Sequence, residues 1–288
     1  MYDVIIIGKG PAGISTSLYT QRSNLKTLVI GKDKGALEKA DKIENYYGFP
    51  NAISGRELLE NGVIGAKKIG VEILTDEVLS VSYEDANNYK VITKEGEYNS
   101  KTLVFATGTT RKSSKVENVD KFEGKGVSYC AVCDGFFYRG KDVAVLGAGD
   151  YAIHEATELI PLVNSISLLT NGAKKLELRS DKIKVYDNSV KRLKGEDTLE
   201  AVELDDNTII PISGIFIAEG TASSTDFAKK LGIQIENNYI AVDAKRMTNI
   251  PGVFAVGDCT KGLKQISRAV ADGAIAGISV KEYLRSVK

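Results

Sequence analysis

The chain has 288 residues, of which 43% are hydrophobic and 26% charged, and its 38 basic residues balance its 38 acidic ones. This composition is typical of a globular protein, the length predicts two domains, and the zero net charge excludes the basic footprint of a nucleic-acid-binding protein. No apolar stretch approaches a membrane span, and the N-terminus lacks the basic flank of a signal peptide. These features predict a cytoplasmic protein, in a reducing milieu where structural disulfides are rare.

The first predicted element is a buried parallel strand, residues 4–7, which leads through a glycine-rich turn into a helix of small residues. In this context Gly8 permits a tight turn, Gly10 lets the backbone approach a pyrophosphate, and Gly13 lets the helix pack on the strand. The next strand ends at Gly31, where such domains usually have an acidic residue for the ribose. A neighbouring or backbone group must therefore serve instead.

A CxxC pair, Cys130 and Cys133, lies near the middle of the chain. Two thiols at this spacing can close a small disulfide, and a nearby positive group or cofactor lowers the thiol pKa. Zinc would need two further ligands, and the chain offers only Cys259 and His154, which do not form a second ligand pair. The pattern therefore indicates redox chemistry and predicts no metal.

A second glycine-rich fingerprint, residues 147–152, follows the apolar strand 143–146 and precedes a helix. Two complete strand-turn-helix starts predict an α/β fold with two doubly wound, Rossmann-like domains of the FAD/NAD(P)-binding type, the second inserted into the first. The last apolar strand, residues 253–256, ends at Gly257 and Asp258. The carboxylate of Asp258 could bind a ribose or ribityl hydroxyl, or cap the helix that follows.

Over nearly its whole length the chain resembles the low-molecular-weight, flavin-dependent thioredoxin reductases. The resemblance rests on residues 8–13, 43–50, 106–108, 126–135 and 251–258. It implies an FAD-binding domain built from residues 1–112 and 246–288, and a middle domain, residues 113–245, that carries the dithiol. It also implies a homodimer and a rotation between the domains, with hinges at the two crossings, residues 108–112 and 244–248.

The resemblance implies a role for each site residue. Cys133 would exchange electrons with the flavin, Cys130 would attack the disulfide of thioredoxin, and Asp134 would donate and accept the proton. Lys264 stands where the family has an arginine. The residues expected to bind FAD are Gly8, Gly10, Pro11, Ala12, Gly13, Asn45, Ala106, Thr107, Gly108, Gly257, Asp258, Lys264, Gln265 and Ile266.

The chain departs from the NADPH-dependent members after the predicted strand 166–169. Those members have arginines there that bind the 2′-phosphate through paired, charge-assisted hydrogen bonds. Here residues 170–173 read Thr-Asn-Gly-Ala, and no carboxylate for the ribose of NADH is present either. Tyr151 adds bulk beside the second fingerprint. This combination resembles the ferredoxin-dependent flavin thioredoxin reductases, so ferredoxin is the expected electron donor.

An acidic ferredoxin calls for a basic docking surface. Residues 171–195 carry a net charge of +5. The basic residues in this stretch are Lys174, Lys175, Arg179, Lys182, Lys184, Lys191, Arg192 and Lys194, and the acidic ones are Glu177, Asp181 and Asp187. A solvated face explains such a stretch equally well.

Three alternative functions remain open at this point. NADPH could still bind through Lys174, Lys175 or Arg179, because lysine and arginine are usable phosphate ligands. The protein could be a dithiol oxidase that passes electrons to oxygen, or a redox-sensing flavoprotein without turnover. A relative with a second FAD is less compatible with the short C-terminal tail, which offers no clear aromatic platform.

Four further residues have simpler explanations. Cys259 is expected to be a buried small residue, and His154 a packed or surface residue of a helix. Tyr46 and Tyr47 could flank the flavin or pack in an aromatic core.

Overall fold

The computed structural model describes residues 1–32, 35–85, 87–108, 114–173, 180–220, 222 and 224–287. The chain forms two compact units, one from Met1–Arg111 with Ser223–Lys288 and the other from Lys112–Ala222. Within the described ranges, no helix combines the length and apolar character that a bilayer span requires.

The first unit is built on one sheet of seven strands. Its N-terminal elements are β1 (Tyr2–Ile7), α1 (Pro11–Arg22), β2 (Thr27–Ile30), α2 (Gly55–Lys68), β3 (Glu72–Leu74), β4 (Val78–Asp85), β5 (Asn88–Thr93) and β6 (Glu97–Phe105). Its C-terminal elements are α5 (Ser224–Lys230), β15 (Ile235–Glu236), β16 (Tyr239–Ile240), β17 (Val253–Ala255) and α6 (Ile266–Ser286). The strand order is β3-β2-β1-β6-β5-β4, with β17 paired to β6. Strands β1, β2, β3, β6 and β17 pair in parallel, so their carboxyl ends share one edge.

Helix α1 packs closely on α6 because glycines of α6 face it. A Cβ on Gly273 would lie 2.4 Å from the carbonyl oxygen of Ala12, and one on Gly277 would lie 2.5 Å from Cβ of Tyr19. This close approach anchors the start of α1, and with it the first fingerprint, to the C-terminal helix.

The second unit combines a parallel and an antiparallel sheet. Its elements are β7 (Val127–Ser128), α3 (Ala131–Asp134), β8 (Asp142–Leu146), α4 (Asp150–Leu159), β9 (Ser165–Leu169), β10 (Ile183–Tyr186), β11 (Val190–Lys194), β12 (Ala201–Leu204), β13 (Ile209–Pro211) and β14 (Gly214–Ile217). Five strands form a fully parallel sheet in the order β10-β9-β8-β14-β7, and β11-β12-β13 form an antiparallel sheet. Buried aliphatic residues from both sheets form one core.

The second crossing between the units lies earlier than the sequence suggests. Residues 223–245, expected in the middle domain, belong to the first unit. Apolar packing holds this segment in the first unit, because the buried ring of Phe227 on α5 stacks on Phe105 of β6, with ring centroids 6.1 Å apart. The expected hinge at residues 244–248 is also held in the first unit, because Arg246 forms an ion pair with Asp272 of α6. Of the other expected hinge, residues 109–112 lie outside the described ranges.

Glu203 on β12 is surrounded by three cations of the neighbouring strand. Its carboxylate lies 2.9 Å from Lys191 Nζ, 2.9 Å from Arg192 Nε and 3.3 Å from Lys194 Nζ. Hydrogen bonds from Lys191, and then from Arg192, lower the pKa of Glu203 from its ordinary 4.5 to about 2. The carboxylate thus joins β11 to β12.

We expect Glu203→Gln to lower the melting temperature at pH 7. Because the pKa of Glu203 is lower in the folded chain, its stabilisation is complete above pH 4.5 and is lost as the pH falls toward 2. The difference from wild type should therefore shrink across that window in thermal melts. Glu200→Gln, at an exposed position beside the same hairpin, is the matched control. A Glu203→Gln deficit as large at pH 3 as at pH 7 would contradict the assignment.

Candidate active site

Cys130 and Cys133 form a disulfide at the start of the short helix α3, with their Cα atoms 5.3 Å apart. Cys130 is the N-cap residue of α3, and its sulfur accepts a hydrogen bond from the backbone N–H of Cys133 at 3.1 Å. The two residues differ in exposure: Cys130 is buried, whereas Cys133 is exposed. The two cysteines of the disulfide therefore differ in their exposure to solvent.

Asp134 is linked to this pair through Ser128. The hydroxyl of Ser128 donates to Oδ2 of Asp134 at 2.7 Å and accepts the backbone N–H of Cys130 at 3.1 Å. One side chain thus holds the carboxylate and the Cys130 backbone in a fixed relation. Sequence reasoning missed Ser128, although its place two residues before the CxxC could have drawn attention to it.

The sequence predicts that the Tyr151 side chain adds bulk beside the second fingerprint, but in the structure this side chain extends to Tyr129. Its side chain is fully buried, and its hydroxyl donates to the carbonyl oxygen of Tyr129 at 3.3 Å. On the next turn of α4, Oε2 of Glu155 accepts the N–H of Ala131 at 2.7 Å. The inner face of α4 therefore contacts the backbone on both sides of Cys130, a relation that sequence reasoning also missed.

The first fingerprint has the shape of a pyrophosphate cradle. A Cβ on Gly8 would lie 2.2 Å from the carbonyl oxygen of Ala106, and one on Gly13 would lie 1.9 Å from that of Gly8, so strand, turn and helix meet without room for side chains. Gly10 has open space where its Cβ would be. It is the N-cap of α1, where no side chain caps the helix and Pro11 begins it. These residues fit a diphosphate, because the free helix N-terminus favours an anion at this position.

The expected ribityl-binding turn lies beside this cradle. Gly257 has φ +72°, and a Cβ there would lie 3.0 Å from Cβ of Ala12. Asp258 follows in a single helical turn, and α6 begins only at Ile266, with Gln265 as its N-cap. The structure therefore excludes the alternative that Asp258 caps the following helix.

A buried ion cluster, which sequence reasoning missed, holds this turn. Oδ2 of Asp272 accepts the N–H of Gly257 at 3.1 Å. The same carboxylate pairs with Arg246 and Arg268, each at 3.0 Å, and only 1% of its side chain is exposed. Arg268 also donates to the hydroxyl of Thr260 at 2.6 Å. The signal in the sequence was an acidic residue among the small apolar residues of α6.

The loops expected to flank the flavin also meet. Nδ2 of Asn45 donates to Oε1 of Gln265 at 3.3 Å, so two predicted FAD contacts from distant parts of the chain are neighbours. The ammonium of Lys264 lies 5.6 Å from the centroid of the Tyr239 ring. Tyr47 is 97% exposed, which rules out an aromatic core as its environment.

Three further expectations can be compared with the structure directly. Cys259 is fully buried, as expected, and burial raises the pKa of its thiol to about 12, so it is a poor nucleophile. His154 is a half-buried residue of α4. Beside Gly31, where no acidic residue is present, the side chain of Lys9 covers the strand end and donates to Oγ1 of Thr75 at 2.9 Å.

The second fingerprint is as tightly packed as the first, since a Cβ on Gly147 would overlap the carbonyl oxygen of Ala218, and a side-chain hydrogen bond joins the segments that follow the two neighbouring strands. Strand β8, which precedes the fingerprint, lies between β9 and β14. Asn171 follows β9 and Glu219 follows β14, and Nδ2 of Asn171 donates to Oε1 of Glu219 at 3.1 Å. The other end of the amide is occupied as well, because Oδ1 of Asn171 accepts the N–H of Val190 at 2.9 Å. Lys174, Lys175 and Arg179 lie outside the described ranges.

Together, the fold and the site define a two-unit protein with a nucleotide-binding fingerprint in its first unit and a CxxC disulfide in its second. The model of the family described as pyridine nucleotide-disulphide oxidoreductase matches residues 2–273. The chain belongs to this family, and its relatives are thioredoxin reductases. The predicted fold class, with two Rossmann-like domains, is thereby confirmed. FAD is the cofactor of these enzymes, and the first-unit cradle fits it.

Individual relatives cover the whole chain. A thioredoxin reductase of Listeria innocua is 34% identical over an alignment that covers 100% of this chain and 95% of the relative. The solved structure of the atypical thioredoxin reductase TRi from Desulfovibrio vulgaris Hildenborough has 38% identity and a TM-score of 0.93, covering 99% of each chain. A ferredoxin-flavin thioredoxin reductase from Clostridium acetobutylicum has 27% identity and a TM-score of 0.73, covering 99% of this chain and 98% of that one.

Proposed function

We propose that this flavoprotein disulfide oxidoreductase reduces the disulfide of thioredoxin through Cys130 and Cys133, and that its electrons come from reduced ferredoxin rather than from NADPH. The observation that carries the choice of donor is the hydrogen bond between Asn171 and Glu219. The thioredoxin part is supported by the relatives and by the presence of the Cys130–Cys133 disulfide.

The Asn171–Glu219 bridge disfavours a dinucleotide for two reasons. In a doubly wound domain, the dinucleotide lies across the carboxyl ends of the strands at the point where the strand order reverses. In the second unit that point is between β8 and β14, and the bridge crosses the end of β8. The carboxylate of Glu219 would also repel the phosphates of the dinucleotide, whereas an NADPH site needs cations there.

The basic stretch gives less support to ferredoxin docking than its net charge suggests. Three of its cations are paired with Glu203. Lys182 donates to the carbonyl oxygens of Ile160 and Val163 near the end of α4, at 3.0 and 2.9 Å. These side chains have structural partners, so we do not assign the donor's docking surface to this stretch.

The dithiol chemistry follows from the two cysteines. FAD, when bound and reduced by two one-electron transfers from ferredoxin, would supply the electron pair that cleaves the Cys130–Cys133 disulfide. Cys130 then forms a bond to one sulfur of the thioredoxin disulfide, and the other sulfur leaves as a thiolate. Attack by Cys133 on the sulfur of Cys130 releases reduced thioredoxin and restores the disulfide. Asp134, whose carboxylate is linked through Ser128 to the Cys130 backbone, would give a proton to the leaving thiolate and recover one.

The proposal includes the remaining expected features. The fourteen first-unit residues named above would hold FAD: the fingerprint its pyrophosphate, Asp258 its ribityl chain, and Gln265 its ring system. Cys130 is buried, so its reaction with thioredoxin requires exposure. The resemblance also implies a rotation between the FAD-binding domain and the dithiol domain, which we include in the proposal. We further propose a homodimer and a cytoplasmic location.

We expect Ser128→Ala to slow thioredoxin reduction by about tenfold, because the variant loses the hydrogen bond that aims Asp134 and leaves the Cys130 N–H unpaired. The measurement is single-turnover oxidation of chemically reduced protein by thioredoxin disulfide, which requires no donor. Ser213→Ala, at an exposed position of the same unit, is the matched control. Equal rates for the two variants would contradict the role of Ser128.

The donor is tested by anaerobic bleaching of the flavin with NADPH, NADH and reduced ferredoxin in separate experiments. Bleaching by ferredoxin alone, followed by reduction of thioredoxin, is the expected result. Rapid bleaching by NADPH would overturn the choice of donor and indicate an NADPH enzyme with an atypical phosphate site.

The same preparation distinguishes the dithiol oxidase, the redox sensor and the diflavin enzyme. Oxygen consumption driven by a small dithiol would indicate a dithiol oxidase. A flavin that ferredoxin bleaches but that never reduces thioredoxin would indicate a sensor without turnover. Two flavins per chain would indicate a diflavin relative.

A further inference from the structure

Helix α4 makes two contacts with the segment that carries Cys130. Tyr151 and Glu155 are one turn apart, so their side chains lie on the same face of the helix. Tyr151 donates to the carbonyl oxygen of Tyr129, and Glu155 accepts the N–H of Ala131. Both side chains have at most 1% of their surface exposed. The residues before and after Cys130 are thus both held by α4.

A buried carboxylate at this position has a specific electrostatic consequence. Burying a charged group is costly unless hydrogen bonds compensate it, and the 2.7 Å bond from Ala131 is one such bond. The bond also places the carboxylate beside the peptide group that joins Cys130 to Ala131, where Cys130 and Glu155 are both 1% exposed and charges interact strongly. A negative charge close to a thiol disfavours its deprotonation.

We propose that Glu155 is a positioning residue for Cys130: it fixes the backbone at the start of α3, and its buried negative charge disfavours the Cys130 thiolate. The inference deepens the proposed function, because it rests on Cys130 being a redox thiol. A disfavoured thiolate makes the reduced form less stable relative to the disulfide. The dithiol is therefore a stronger reductant for thioredoxin, and Cys130 stays protonated until exchange begins.

The effect of Glu155 on the Cys130 thiol must be distinguished from the effects of the other ionisable groups near α3. Cys133 and Asp134 lie on α3 itself. Tyr138 follows α3, and its pKa is raised by burial and by the charge of Asp134. Tyr129 donates its hydroxyl to Glu123 at 2.6 Å. The remaining groups, Tyr151 and Glu155, come from α4. Only Glu155 among them accepts a hydrogen bond from the backbone directly after Cys130.

The test measures the midpoint potential of the dithiol against pH in the FAD-loaded protein. The protein is equilibrated anaerobically with dithiothreitol redox buffers, quenched with acid and assayed for free thiols. The plot changes slope at the pKa of each thiol of the reduced pair, and alkylation of Cys130 against pH in Cys133→Ser identifies the bend that belongs to Cys130. In Glu155→Gln, which keeps an acceptor for Ala131 but removes the charge, this bend should move down by about one pH unit.

Two further variants complete the experiment. Glu155→Asp keeps the charge, so its bend should stay near that of wild type. Glu158→Gln removes a charge from an exposed position of the same helix and should leave the bend in place. An unmoved bend in Glu155→Gln would overturn the inference, and so would an equal shift in Glu155→Asp. The measurement uses neither ferredoxin nor thioredoxin, so a wrong donor assignment would not affect it.

Discussion

Replacing either Cys130 or Cys133 with serine should abolish thioredoxin reduction, with a loss of at least about a thousandfold, because neither thiol alone can complete the exchange. Reduction of the flavin by its donor should persist in both variants, since the first-unit cradle is untouched. Steady-state turnover and anaerobic bleaching measure the two steps separately. Cys259→Ala is the matched control: Cys259 is the remaining cysteine, and it is buried.

The two serine variants should differ from each other in a trapping experiment. With a thioredoxin that lacks its resolving cysteine and whose remaining cysteine is activated as a disulfide with thionitrobenzoate, Cys130 of Cys133→Ser should displace thionitrobenzoate and accumulate a mixed disulfide with thioredoxin, because no second thiol is left to release it. Cys130→Ser should not accumulate this species. If only Cys130→Ser traps the partner, the roles proposed for the two cysteines are reversed. If both variants retain turnover, the CxxC is not the catalytic dithiol.

The fold and the cofactor-binding elements were readable from the sequence because their signals are local. The fingerprint Gly8 to Gly13 and its flanking residues predict a strand, a turn and a helix within about a dozen residues. The CxxC indicates redox chemistry within four residues. That Asn45 and Gln265 lie close together could be predicted only from the family resemblance, because these residues are far apart in the chain. Tyr151 shows the limit of such reasoning: its bulk was apparent, but the direction of its side chain was not.

The missed features are contacts between side chains that are distant in sequence. The pairing of Asn171 with Glu219 depends on β8 lying between β9 and β14, which no local pattern reveals. The second crossing between the units was misplaced for a similar reason, because α5 joins the first unit through tertiary packing of Phe227. Charge counting along the chain likewise could not show that Glu203 pairs with cations counted as a docking surface.

Asp272→Asn should produce the largest loss of stability, with release of FAD. The substitution leaves Arg246 and Arg268, whose side chains are 25% and 15% exposed, without the shared counter-charge of a carboxylate that is 1% exposed. Breaking a buried ion pair in this way costs about 3–5 kcal/mol. The Gly257 turn is held by the same carboxylate, so Asp258 should lose its position beside the fingerprint. Thermal unfolding followed by flavin fluorescence, together with FAD content after gel filtration, measures both effects.

Glu282→Gln on the same helix is the control for this substitution. Its carboxylate pairs with Lys245 at 3.0 Å, but 55% of the Glu282 side chain is exposed. An exposed pair contributes at most about 1 kcal/mol, so this variant should keep its FAD and melt close to wild type. If Asp272→Asn had the same melting temperature as Glu282→Gln and kept its FAD, the buried ion cluster would not be what holds the Gly257 turn. A large loss confined to Asp272→Asn would show that a carboxylate on α6, outside every recognised motif, maintains the FAD site.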